Sequence, residues 1–169
     1  MDEALAPDIL LLISSGSGLV GAPILDAVEK IAAAAARSAD PHMALGNFAR
    51  WASRLGSAST VFRIFLEDPK MLDDMVTVFS ASQYLSDILV RDPHYYDVFL
   101  DSRLRTAEEL YSDMSAVVRA FSSTEAKLDV LRRVRRREIL RIGLVDFTHA
   151  GEVLSDQEAQ EQVLKTALQ

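Results

Sequence analysis

Residues 122–148 read SSTEAKLDVLRRVRRREILRIGLVDFT, the longest helical signal in the chain. Ser122 stands three residues before Glu125, the S-x-x-E spacing in which side chain and backbone donors cap each other at a helix start. No proline interrupts the stretch, and Gly143 is its only weak helix former. At about 100° per residue, Leu128, Leu131, Val134, Ile139, Ile142 and Val145 share one broad face. Leu140, Leu144 and Phe147 lie roughly opposite. One apolar stripe marks a surface helix, whereas two mark a helix with neighbours front and back. The stretch therefore predicts a central helix near residues 123–148.

Its charges are placed unusually. Arg135, Glu138 and Asp146 fall in or beside the first stripe. Arg135 and Arg141 stand three residues before and after Glu138, within ion-pair reach along one helix. A shielded charge persists when it is paired. Arg135, Glu138 and Arg141 are thus expected to form a structural ion-pair cluster, with Glu138 bound by Arg135, Arg141 or both. The other arginines of the run spread around the helix. They fit a phosphate-binding edge for nucleic acid, a set of solvated or intramolecular ion pairs, or contacts with a further domain, its nucleotide or a partner. A planar guanidinium suits the last role because it pairs bidentately with carboxylate or phosphate. Arg136, Arg137 and Arg133 are the candidates for contacts that leave the domain. No aromatic ladder accompanies the run and Glu138 interrupts it, so nucleic-acid binding is not the favoured reading.

Upstream, Asp40–Pro41, Asp68–Pro69 and Asp92–Pro93 each place a capping acceptor before a proline suited to a first helical turn. The intervening sequences do not match one another, which argues against a solenoid. Pro23 to Arg37, Pro41 to Gly56, Ser57 or Ser59 to Glu67, Pro69 to Val78, Ala81 to Arg91 and Pro93 to Leu100 read as helical pieces, the fourth and fifth being separate or joined by a kink near Ser80. Thr106 and Glu109 form a second capping box and open a helix to about Phe121. Gly151 predicts a turn, and Ser155 with Glu158 opens a last helix over 156–168. Residues 1–22, with the SSGSGLVG cluster, read as a mobile N-terminal segment before a helical domain over 23–169. The fold class is all-α, a compact bundle of about eight or nine helices.

Three segments carry a resemblance. LRRVRRREILRIGLVDF is similar to a signature of the glutamine synthetase adenylyltransferase/adenylyl-removing enzymes. ALGNFARWASRLGS, residues 44–57, and PKMLDDMVTVFSASQYLSDILVRDP, residues 69–93, resemble two further segments of that family, in the same order. Together they span about residues 41–150. The chain departs from the family pattern at Val134, where Phe is frequent, at Val145, where Arg is frequent, and at Ala58, where Pro is frequent.

The resemblance implies an enzyme that transfers AMP from ATP to a tyrosine of glutamine synthetase and removes it by phosphorolysis. It implies magnesium (Mg²⁺) and ATP as cofactors of the whole enzyme, glutamine synthetase and the PII signalling protein as partners, and a cytoplasmic location. The family's nucleotidyl transfer uses a G-S-x-x-D-x-D element on a separate domain. Neither Gly16–Ser17 nor Gly56–Ser57 is followed by Asp-x-Asp. Asp73 and Asp74 are adjacent, so on a helix they diverge by about 100°. The catalytic domain is expected beyond residue 169, and this chain is expected to support it without catalytic residues or bound metal of its own.

Composition is compatible with that reading. The chain has 169 residues, 49% hydrophobic and 25% charged, enough for one domain with a core. It has no cysteine, which rules out disulfides and thiolate metal sites. The net charge of −7 opposes non-specific nucleic-acid binding, and no apolar run is long enough to span a membrane. His42, His94 and His149 have no metal-ligand spacing. Phe48 and Trp51 read as core anchors, and Tyr95–Tyr96 as packing beneath a short helix. Two other functions remain: a stand-alone helical protein-interaction module, and an arginine-helix nucleic-acid binder.

Overall fold

The computed structural model describes residues 22–55 and 58–153. These form α1 (Ala22–Ala36), α2 (Pro41–Ala52), α3 (Ala58–Glu67), α4 (Pro69–Ala81), α5 (Gln83–Arg91), a 3₁₀ helix η1 (Pro93–Phe99), α6 (Ala107–Arg119) and α7 (Thr124–Val153). There is no strand among the described residues, and the class is all-α. The N-terminal segment over 1–21, the stop at Gly56 and the last helix over 156–168 lie outside the described residues.

Local chemistry explains most boundaries. The Asp40 carboxylate accepts from the Met43 N–H at 2.9 Å and starts α2. Asp68 does the same for α4 through the Met71 N–H at 3.2 Å. Asp92 differs: it makes no capping bond to η1 and instead faces Arg136 of α7 at 3.6 Å. Thr106 and Glu109 form the reciprocal box that opens α6. Ser82, rather than Ser80, divides α4 from α5. Its extended backbone returns an N–H to the Val78 carbonyl, and its hydroxyl accepts the Leu85 N–H at 3.3 Å. One serine thus closes one helix and opens the next.

The ends of α7 shift from expectation. Ser123, not Ser122, accepts the Ala126 N–H at 3.1 Å. Glu125 therefore lies in the first turn without the reciprocal box, where the helix dipole still favours its charge. The helix runs through Gly151 to Val153 instead of turning there. One interior glycine costs a helix only about 1 kcal/mol, too little to stop a 30-residue helix.

The core centres on aromatic rings of α2, α3 and α4. Phe48 lies 5.6–6.1 Å, centroid to centroid, from Trp51, Phe62, Phe65 and Phe79, within the range where tilted and edge-on rings attract. Asn47 is buried beside them. Its Nδ2 donates to the Phe79 carbonyl at 3.1 Å, near the end of α4 where carbonyls lack helical partners. Trp51 Nε1 donates to the Pro93 carbonyl at 3.1 Å and ties α2 to η1. The ring of Tyr96 packs edge-on against Trp51.

α7 packs on α4, α5 and η1 along one side and on α6 along another. Leu140 and Leu144 are fully buried. Gly143 faces α5, where an added Cβ would overlap Leu85 Cδ1 and approach Cδ2 to 3.3 Å. The opposite stripe is only partly covered. Leu128 and Ile142 stay exposed, Ile142 by 52%, because α6 has 13 residues against the 30 of α7 and buries none of its own side chains.

Candidate functional site

The arginines of α7 meet an acidic segment that runs beside them. Arg137 Nη2 donates to Asp97 at 2.8 Å. Arg136 pairs with Asp92 at 3.6 Å. The Tyr95 hydroxyl donates to the Arg133 carbonyl at 3.2 Å. Burial pushes the pKa of that hydroxyl above the ordinary tyrosine value, and the Asp92 carboxylate adds to the shift. Arg141 donates to the Asp101 carbonyl and, at 3.4 Å, to the Arg103 carbonyl. The segment from Asp92 to Arg103 is therefore sewn to α7 by three successive guanidiniums.

Glu138 sits at the centre of a second group. Arg141 Nε lies 3.3 Å from one carboxylate oxygen, an ion pair whose alignment falls short of a hydrogen bond. Arg105 Nη1 donates to the other oxygen at 3.5 Å, and Arg105 also pairs with Asp113 of α6. The side chains of Arg141 and Glu138 are only 4% and 14% exposed. The expected Glu138–Arg141 pair is present, but Arg135 is not its other partner. Arg135 is exposed and makes no ion pair among the described residues. The loop before α6 brings Arg105 to Glu138 instead. That loop is itself pinned: Arg103 grips Glu109 through two bonds of 2.9 and 3.0 Å, which together with the Thr106 N–H hold the Glu109 carboxyl down at about 2.

Arg136 and Arg137, expected to reach beyond the domain, are thus engaged within it. Their Nε atoms are buried without a hydrogen-bond partner. The Arg133 side chain is exposed and makes no ion pair among the described residues. Asp73 and Asp74 diverge as expected, Asp73 pairing with Arg37 at 2.7 Å and Asp74 with Lys70 at 2.6 Å. No three acidic or histidine side chains converge on a metal position among the described residues. A groove of about 510 Å³ lies between α6 and α7. Leu110 and Met114 line it from α6, and Leu128, Leu131 and Ile142 from α7, with Arg135 beside them.

Sequence reasoning missed Asn47, Arg105, Asp92 and Asp97 as structural partners. Asn47 did leave a signal, a polar residue in the apolar stripe of Ala44, Phe48 and Trp51. Arg105 left none, because it lies in a loop whose path no periodicity describes.

Residues 72–166 match the family model described as Glutamate-ammonia ligase adenylyltransferase. That is more than half of the 169 residues, and it includes the arginine helix and most of the elements that bind it. The chain belongs to the glutamate-ammonia ligase adenylyltransferase family. Among curated relatives, it is 29% identical over 124 residues to a bifunctional glutamine synthetase adenylyltransferase/adenylyl-removing enzyme of Cutibacterium acnes, covering 69% of this chain and 13% of the relative. It is 28% identical over 137 residues to the enzyme of that name from Leifsonia xyli, covering 77% and 14%. With the one from Streptomyces coelicolor it shares 28% over 134 residues, covering 73% and 13%. The chain thus spans about one seventh of the length of these adenylyltransferases. No solved structure matches it significantly. The match to the adenylyltransferase family begins in α4, later than the resemblance at residue 44, and continues past residue 150 to 166.

Proposed function

We propose that this chain is the helical part of a bifunctional glutamine synthetase adenylyltransferase/adenylyl-removing enzyme, and that it braces a catalytic domain without catalysing the reaction itself. One observation carries the reading. The described part of the family-matched stretch is a packed helical unit whose Arg136, Arg137 and Arg141 are engaged by acidic residues and carbonyls of the same chain. Among the described residues its charges hold helices together and converge on no metal position.

In this reading the whole enzyme moves AMP between ATP and a tyrosine of glutamine synthetase. In the removing direction a phosphate oxygen attacks the phosphorus of the tyrosyl-AMP ester, the bond to the tyrosine oxygen breaks, and ADP leaves. Mg²⁺ and ATP would belong to a nucleotidyltransferase domain, where metal-held phosphates ease charge build-up. PII and glutamine synthetase would be partners of the whole enzyme in the cytoplasm. Of the three candidates Arg133, Arg136 and Arg137, Arg133 is the one left exposed and without an ion pair among the described residues, and so the one free to meet another domain.

The test is direct. The purified chain, given adenylylated glutamine synthetase and phosphate, should release no ADP. Release above a no-protein control would overturn the bracing role. A second reading, a stand-alone interaction module, draws on the apolar groove between α6 and α7 and on helix-in-groove recognition. A reading frame that stops after Gln169 would favour it over the first.

A further inference from the structure

α6 and α7 are joined by a short link and leave an open groove of about 510 Å³ between them. On α7, Leu128, Leu131, Arg135, Glu138 and Ile142 line it and follow one another at steps of 3, 4, 3 and 4 residues. On α6, Leu110 and Met114 form the other wall, and Val117 continues their row at the next step of 3. Alternating steps of 3 and 4 make the seam along which one helix receives another. Among the described residues no helix fills it, and Leu128, Ile142 and Val117 are exposed. The seam of α7 also carries charge. Glu138 is already bound, one oxygen by Arg141 and the other by Arg105. Arg135, one turn earlier and midway along the row, is exposed and has no ion pair among the described residues.

We propose that this groove receives an amphipathic helix of a different protein, one whose apolar ridge is flanked by carboxylates. Shape sets the form of the occupant. From Leu128 to Ile142 is about 21 Å of helix, so a helix of about 14 residues laid between α6 and α7 covers both rows. Charge sets its chemistry. A carboxylate on the incoming helix pairs with Arg135, whereas a cation there is repelled. The same charges select against a second copy of this chain. Two α7 seams laid together set one arginine-rich run, 132–141, against another. α6 of a second copy is a poor complement too, because Glu109 and Asp113, two of its three acids, are already bound by Arg103 and Arg105. Such docking is open to a bracing part and to a stand-alone module alike, so it does not depend on the proposed function.

The probe is a fluorescein-labelled helical peptide of about 14 residues, with leucine at alternating steps of 3 and 4 and glutamate on both sides of that row. Its control has lysine for each glutamate. In fluorescence anisotropy with the full chain at physiological salt, the glutamate peptide should bind saturably and at least about fivefold tighter than the lysine peptide. Arg135→Glu should reverse that preference. Ile142→Asp should weaken the glutamate peptide at least about tenfold with the circular dichroism unchanged. Leu128→Asp, at the other end of the groove, gives the same reading should Ile142→Asp disturb the fold. Absence of saturable binding would overturn the proposal. So would equal affinity for the two peptides, or a preference that Arg135→Glu leaves intact. A dimer of the chain alone in sedimentation, dissolved by Ile142→Asp, would give the groove to a second copy and overturn it as well. None of these outcomes touches ADP release, which tests the proposed function separately.

Discussion

At the scale of single residues, the decisive contact is the one between Glu138 and its two guanidiniums. A shielded carboxylate with both oxygens paired costs little to keep, but a partner left alone costs its full desolvation. Glu138→Gln strands Arg141, which is nearly buried, against one neutral amide. We expect it to lower stability by about 1–3 kcal/mol, read as a lower urea midpoint with an unchanged slope. Arg135→Gln should change stability by less than about 0.5 kcal/mol, as surface substitutions do. If the two variants lost stability equally, Arg135 would be a partner of Glu138 after all. The difference between these residues shows what a helical wheel can settle. It identifies Arg141 as a neighbour of Glu138, because i and i+3 meet on any helix. It cannot exclude Arg135 on the other flank, since the choice is made by a residue 33 positions away in sequence, Arg105.

At the scale of elements, two contacts decide how helices stand against each other. Gly143 lets α7 approach α5, and alanine there would press on the buried Leu85. Alanine gains about 1 kcal/mol of helix propensity, while overpacking costs roughly 1–3 kcal/mol. With three Leu85 atoms crowding the new methyl, the second effect should win, and Gly143→Ala should lower the melting temperature. Combined with Leu85→Ala, the same substitution should become neutral or favourable, which a double-mutant cycle would show as coupling. The start of α6 is the second contact. The Arg103 fork and the Thr106 N–H hold the Glu109 carboxyl at about 2, below its unfolded value near 4.3. A depressed folded value means that the contribution is complete above about pH 5 and is lost as pH falls toward 2. Thermal melting should therefore weaken across that window, and Glu109→Gln should flatten that part of the profile. A Glu109→Gln profile that fell as steeply as the parent's would assign the acid sensitivity elsewhere, Asp87 with Arg50 and Gln83 being the next such group.

At the scale of the whole molecule, charge is segregated and then internally cancelled. Six arginines lie between residues 132 and 141 in a chain of net charge −7, and two of them, Arg136 and Arg137, face Asp92 and Asp97. Cations already paired within the chain, as Arg132, Arg136, Arg137 and Arg141 are, displace few counterions from a nucleic acid. Single-stranded RNA and duplex DNA should show no binding at physiological salt in fluorescence anisotropy. Binding that survived such salt would restore the nucleic-acid reading. The bundle explains this pairing: α7 is held against η1 and α5 by Leu140, Leu144 and the ion pairs together, so Arg136, Arg137 and Arg141 serve the packing of the same chain.

Periodicity, capping residues and Asp-Pro starts determined by themselves that the chain is all-helical, where most helices begin, and that Phe48, Trp51, Leu140 and Leu144 are core. Those signals are local, because a helix buries one face at fixed spacing and its ends need particular donors and acceptors. Only the tertiary structure decided which charges meet. Arg136 with Asp92, Arg137 with Asp97 and Arg105 with Glu138 join residues 33 to 44 positions apart, and no spacing rule reaches that far. Coulomb attraction depends on distance in space, and that distance exists only after the helices have packed.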